Sequence, residues 1–162
     1  MSETVVLIAF GSVALVMALV SGVFLGFSDF IMRSLRVSSP RAGIEAMQQI
    51  NREVLSSAFV FSLLALAPVS LGLIGYAWFA LGGPEQGWFI AGGAIYVVGT
   101  FLVTLFGNVP MNRRLDAMAV EGPETEAYWA QYAVAWTRWN HVRTAASAVA
   151  AAALLVGCAI YA

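Results

Sequence analysis

Polar and ionisable side chains in this sequence gather in four short stretches. Ser28, Asp29 and Arg33 form one, Asn51, Arg52 and Glu53 a second, Asn108 and Asn112 a third, and Trp136, Trp139, Asn140, His141 and Arg143 the fourth. An aromatic wall beside amide and guanidinium donors suits a planar, oxygenated ring as ligand. His141 is the only histidine, and it is the side chain whose ordinary proton chemistry falls near neutral pH; it reads as an acid/base group or as an interfacial structural histidine. Arg143 lies inside an apolar stretch, where an unpaired guanidinium is costly. Asp29 is its expected counter-charge, with Arg33 as the competing local partner of Asp29. One histidine cannot build a two-histidine, one-carboxylate iron site or a three-histidine zinc or copper site. No metal is therefore expected, and a looser set of His141, Asp29 and Glu53 is the one alternative.

Two periodic stripes carry these residues. Tyr96, Thr100, Thr104 and Asn108 recur every fourth position, which draws hydroxyls and an amide along one helix face. Trp129, Tyr132, Trp136, Trp139, Asn140, Arg143 and Ser147 follow steps of three or four or stand beside one that does. Trp136 shares the face of Asn140 and Arg143, whereas Trp129 fits an interfacial aromatic belt. Gly107, Asn108 and Pro110 read as the stop of a helix, since proline has no N–H and disfavours helix before it; Asn108 and Asn112 would then sit on a turn.

The elements that must position these groups are membrane helices. Uncharged apolar runs begin at Val5, Val54 and Trp88, and an alanine-rich one closes at Tyr161. About 20 apolar residues span the hydrocarbon core as a helix. The spacing predicts an all-α, antiparallel bundle of four transmembrane helices over about 5–33, 42–81, 87–107 and 124–161, a single domain. A chain that is 60% hydrophobic and 10% charged has too little polar surface to coat a soluble domain. Arg41 to Asn51 reads as an amphipathic extension of the second helix, Pro68 as a kink in it, and Gly22 with Gly26 as a close-approach face on the first.

All eight positive charges are arginines. Arg33, Arg36, Arg41 and Arg52 lie between the first two helices, and Arg113, Arg114, Arg138 and Arg143 between the last two. That bias predicts both termini outside the cytoplasm, and the lack of a basic segment before the first apolar run argues against a cleaved signal. All four polar stretches then fall at cytoplasmic helix ends, which meet in any antiparallel bundle. A single cysteine, Cys158, excludes an intramolecular disulfide. A formal charge of −1 gives no field for nucleic acid, and no phosphate-binding loop is present. The arginine bias also fits poorly with a dual-topology multidrug transporter. A subunit of a larger membrane complex would rest on its glycine faces, and the oligomeric state is left open.

Four pieces in chain order resemble the anthrone oxygenase-like family of small four-helix membrane proteins, most of them catalogued as a domain of unknown function. They are GVFLGFSDFIMRSL from Gly22 to Leu35, AMQQIN from Ala46 to Asn51, NVPMN from Asn108 to Asn112, and WTRWNHVRT from Trp136 to Thr144. The resemblance implies a multi-pass protein of the bacterial cytoplasmic membrane, with membrane lipid, a hydrophobic aromatic molecule and molecular oxygen as partners. It also implies oxidation of an anthrone-like or other phenolic substrate by O2 without a cofactor. On that reading His141 or Asp29 is the base, Asn108, Asn140 and Arg143 stabilise the enolate oxygen, and Trp136 stacks on the ring. Asn51, Asn112, Trp139, Thr104 and Tyr96 complete the substrate surface. The alternative is a non-catalytic protein that binds a quinone, lipid or other flat hydrophobe.

Overall fold

The computed structural model describes residues 2–162 and contains only helices and turns among them. Helix α1 is Glu3–Val37, α2 is Pro40–Glu53, α3 is Ala58–Ala80, α4 is Glu85–Asp116 and α5 is Pro123–Tyr161. All but α2 are long and apolar enough to cross a membrane. At 1.5 Å per residue the shortest of these four is about 35 Å long, enough for a hydrocarbon core of about 30 Å.

These four close into a ring. α5 lies against both α1 and α4, and α3 completes the circuit against the same two. Val6, Phe10, Ala14, Met17, Val20 and Phe24 recur every three or four residues along α1 and form the inner face. They meet Phe89 and Tyr96 of α4, Leu63 and Leu66 of α3, and Ala150 and Leu154 of α5. Phe10 stacks on Phe89, which in turn meets Tyr161 edge-on, so the starts of α1 and α4 share one end with the close of α5. Ile8, Leu19, Phe61 and Phe79 point outward. An apolar exterior around a packed apolar core is what a lipid solvent permits, provided every backbone group is bonded within its helix.

Small residues set the closest approaches. A Cβ at Gly92 would meet the Leu154 side chain and the Ala150 carbonyl, and one at Gly93 would meet Ile74 and the Ser70 carbonyl. Gly22 is different: a Cβ there meets nothing, and at Gly26 it touches only Phe30 and Ile31 of the same helix. The Gly22–Gly26 pair is therefore no contact face within the bundle.

The amphipathic segment is a separate helix rather than an extension of the next one. A 3-10 turn at Val54–Ser56 is followed by extended backbone at Ser57, with φ −86° and ψ 151°. Ser56 Oγ donates to the Glu53 carbonyl and Ser57 Oγ to the Val54 carbonyl, while Ser57 Oγ accepts from the Val60 N–H. Two adjacent serines thus end α2 and cap α3. Pro68 is accommodated inside α3. α2 packs through Ile44 and Met47 on Met32 of α1, Leu115 of α4 and Trp129, Tyr132 and Trp136 of α5, a second core at the arginine-bearing end.

α4 also departs from expectation, since it does not stop at Asn108 but runs on to Asp116. It does so through two π-helical stretches, Tyr96–Leu102 and Thr104–Asn108, immediately before Pro110. The wider turn shifts bonding to i→i+5, which makes room for a proline ring that would clash with the carbonyl four residues back. α1 holds a third such turn at Phe27–Ile31.

Candidate functional site

Where the two cores meet, side chains from all five helices surround a cavity of about 410 Å³, a size suited to a small organic ligand. Phe24 and Phe27 of α1, Phe59 and Leu63 of α3, and Trp136 of α5 give it an aromatic and aliphatic wall. Polar groups enter at few points: Asn51 from α2, Thr104 and Asn112 from α4, and Arg143 from α5. Arg52, Arg113 and Asp116 also line it.

Arg143 is 5% exposed and belongs to no ion pair among the described residues. Its guanidinium lies 4.2 Å from the ring centre of Phe24 and 5.2 Å from that of Trp136, so two π faces flank the charge. Nη2 donates to Asn140 Oδ1 at 2.7 Å, Nη1 reaches Thr104 Oγ1 at 3.5 Å, and Nε has no partner among the described residues. A buried cation with unspent donors and no counter-charge favours whatever brings it an electron-rich oxygen.

Asn140 fixes that guanidinium. Its Nδ2 donates to the Phe24 carbonyl and to Ser28 Oγ, both at 2.6 Å, so its Oδ1 is turned to Arg143. The Phe24 carbonyl lies just before the π-helical turn of α1, and Ser28 lies within it, which ties this local irregularity to the site. Trp136 is held as firmly. Its Nε1 donates to Asn112 Oδ1 at 2.8 Å, Tyr132 Oη donates to the same oxygen at 2.9 Å, and Asn108 Nδ2 donates to the Trp136 carbonyl at 3.2 Å. Asn51 Nδ2 and Asn108 Oδ1 are buried without a hydrogen-bond partner among the described residues.

Arg143, Trp136, Asn51, Asn112 and Thr104 all line this cavity. Asn140 and Asn108 stand behind its wall and orient the groups in front. Tyr96 is buried farther along α4, where its hydroxyl donates to the Leu63 carbonyl. Trp139 is turned out of the bundle, 45% exposed, beside Gly107 and Phe106 on a shallow outer groove.

His141 and Asp29 are not brought to the cavity. His141 is exposed, because on α5 it lies between Asn140 and Arg143, which face inward. Asp29 is exposed and stands 4.0 Å from Arg33, one turn on, so the expected Asp29–Arg143 pair is replaced by the local one. Glu53 accepts from Gln49 on the surface. The set of His141, Asp29 and Glu53 is thus dispersed, and no three such side chains are grouped to hold a metal among the described residues.

Sequence reasoning missed the lining from Phe24, Phe27, Phe59 and Leu63, for which apolar residues in apolar helices give no signal. It also missed Asp116. That carboxylate lies one turn beyond Asn112, a signal hidden by ending the helix at Gly107.

A family model described as Anthrone oxygenase matches residues 47–153. No curated protein and no solved structure matches the chain.

Proposed function

The chain belongs to the anthrone oxygenase family, and on that premise we propose that it oxidises an anthrone-like phenolic substrate with O2 inside the cavity. The observation that carries this reading is Arg143, a buried guanidinium between Phe24 and Trp136 with no carboxylate beside it. An anthrone that loses a benzylic proton becomes an enolate, and its oxygen is the acceptor that Arg143 lacks. The electron-rich ring lies against Trp136, and the enolate carbon reacts with O2. Turning the methylene into a carbonyl removes four electrons from the ring. One O2 accepts all four, placing one oxygen atom in the quinone and releasing the other as water, so the reaction balances without an external reductant. Asn140 acts at one remove by holding the guanidinium toward the substrate.

The arginine bias supports a setting as well. With both arginine-rich segments in the cytoplasm, the cavity opens beneath the inner leaflet of a bacterial cytoplasmic membrane. A hydrophobic substrate would then enter from the lipid.

Purified protein in lipid nanodiscs, given anthrone and air, should form anthraquinone with one O2 consumed per quinone. Arg143→Met should lower kcat/KM by about a hundredfold, the scale of removing one oxyanion donor. If the wild type gives no quinone above the spontaneous rate, the oxygenase reading falls. Tight binding of unchanged anthrone, seen as quenching of tryptophan fluorescence, would then favour a carrier of a quinone or other flat hydrophobe.

A further inference from the structure

Forming an enolate needs a base, and neither His141 nor Asp29 lines the cavity. We infer that Asp116 takes the proton. This rests on the oxygenase reading above and assigns the step that reading leaves without a residue. Asp116 is the one carboxylate among the lining residues, and along α4 it stands at the opposite end of the wall from Thr104, the residue that Arg143 touches.

The two ends are linked by Trp136. Arg143 lies 5.2 Å from the Trp136 ring centre, and the Nε1 edge of that ring reaches Asn112, one helical turn, about 5.4 Å of rise, before Asp116. A fused-ring substrate laid along Trp136 would then have the guanidinium toward one edge and the α4 turn that carries Asp116 toward the other. In an anthrone the carbonyl and the methylene occupy opposite edges of the middle ring. The donor for one and the base for the other must therefore act from opposite sides of the substrate, and Arg143 and Asp116 are the buried guanidinium and the one carboxylate that the lining offers for those two roles.

The surroundings of Asp116 suit the task. Arg52 Nε donates to Oδ1 at 2.8 Å, while no hydrogen bond engages Oδ2 among the described residues. Arg52 and Arg113 are the charged groups beside it on the lining, one from α2 and one from its own helix. Its side chain is 38% exposed, so a proton taken from substrate can pass to water. In the step itself, the benzylic C–H bond breaks, its proton goes to Asp116 Oδ2, and its electron pair moves through the ring to the oxygen held by Arg143. Oxygen is not involved until afterwards.

That separation supplies the test. Under argon in D2O, wild-type protein should exchange the methylene hydrogens of anthrone for deuterium faster than buffer does, as followed by proton NMR. Asp116→Asn should slow exchange and aerobic turnover by about a hundredfold or more, the usual worth of a positioned base, and Asp116→Glu should restore much of both. Arg52→Gln breaks the same ion pair but keeps the carboxylate, so its loss should stay below about fivefold, the scale of an exposed pair. A thermal melt of each variant separates a missing base from a misfolded bundle. Wild-type exchange rates in Asp116→Asn, or equal losses in Asp116→Asn and Arg52→Gln, would overturn the assignment. Protein that exchanges deuterium but makes no quinone in air would keep the base and remove the oxygenase reading, and protein that does neither removes both.

Discussion

Hydrogen-bond geometry at single residues separates those that touch the cavity from those that aim other groups at it. Asn140 satisfies the Phe24 carbonyl, Ser28 and the Arg143 guanidinium at once. Asn140→Ala leaves buried groups unpartnered, at about 1–3 kcal/mol. Because the guanidinium then swings free, kcat should fall more than KM rises, and steady-state oxygen uptake would show the split. A rise in KM alone would mean that Asn140 only helps admit substrate. His141→Ala makes the opposite test. An exposed side chain with no bonding partner among the described residues should change stability by less than about 0.5 kcal/mol and leave turnover unchanged, as checked by melting and by the quinone assay.

Packing between elements rests on a few small residues and on helix ends, and this is also where the sequence was most and least legible. The fourfold stripe from Tyr96 to Asn108 could be read as an inward face from spacing alone, because a 3.6-residue period leaves few choices, whereas the inner face of α1 from Val6 to Phe24 gave no such signal in a helix that is apolar all round. Arg143 and Trp136 could be placed on one face for the same reason, whereas Asn112, read as part of a turn, joined them only because helix ends meet in an antiparallel bundle. The π-helical turns at Phe27–Ile31 and Thr104–Asn108 could not be read, since they arise from packing and proline accommodation rather than from any local residue pattern. Each shifts the register by one residue, and the one in α4 stands just before Pro110 in the helix that runs on to Asp116 at the cavity. Glycines tell a similar story. Gly93→Val should separate α3 from α4, because its side chain meets Ile74 and the Ser70 carbonyl, at about 1–3 kcal/mol or more. Gly22→Ala should be silent, because nothing lies within reach. Equal melting shifts for the two variants would mean that the α3–α4 approach is looser than described.

At the scale of the whole molecule, the way the bundle lies in the membrane decides the compartment the cavity opens to. α5 is 39 residues long, about 58 Å at 1.5 Å per residue, nearly twice the hydrocarbon core. Its first turns must stand clear of the bilayer on the side where α2 and the Arg52–Asp116 pair also lie. All of the arginines belong to the two segments on that side or to the helix ends beside them, and arginines in short loops are retained in the cytoplasm. The cavity mouth should therefore face the cytoplasm. Cysteine labelling in intact cells tests this, starting from a Cys158→Ser background. Ser38→Cys, in the exposed turn between α1 and α2, should react with a membrane-impermeant maleimide only after the cells are opened. Gly82→Cys, exposed between α3 and α4 with nothing within reach of a Cβ, should react in intact cells. The reverse pattern would turn the cavity outward and require the substrate to arrive from outside the cell, and labelling of both sites in intact cells would mean that the chain inserts in both orientations despite its charge bias.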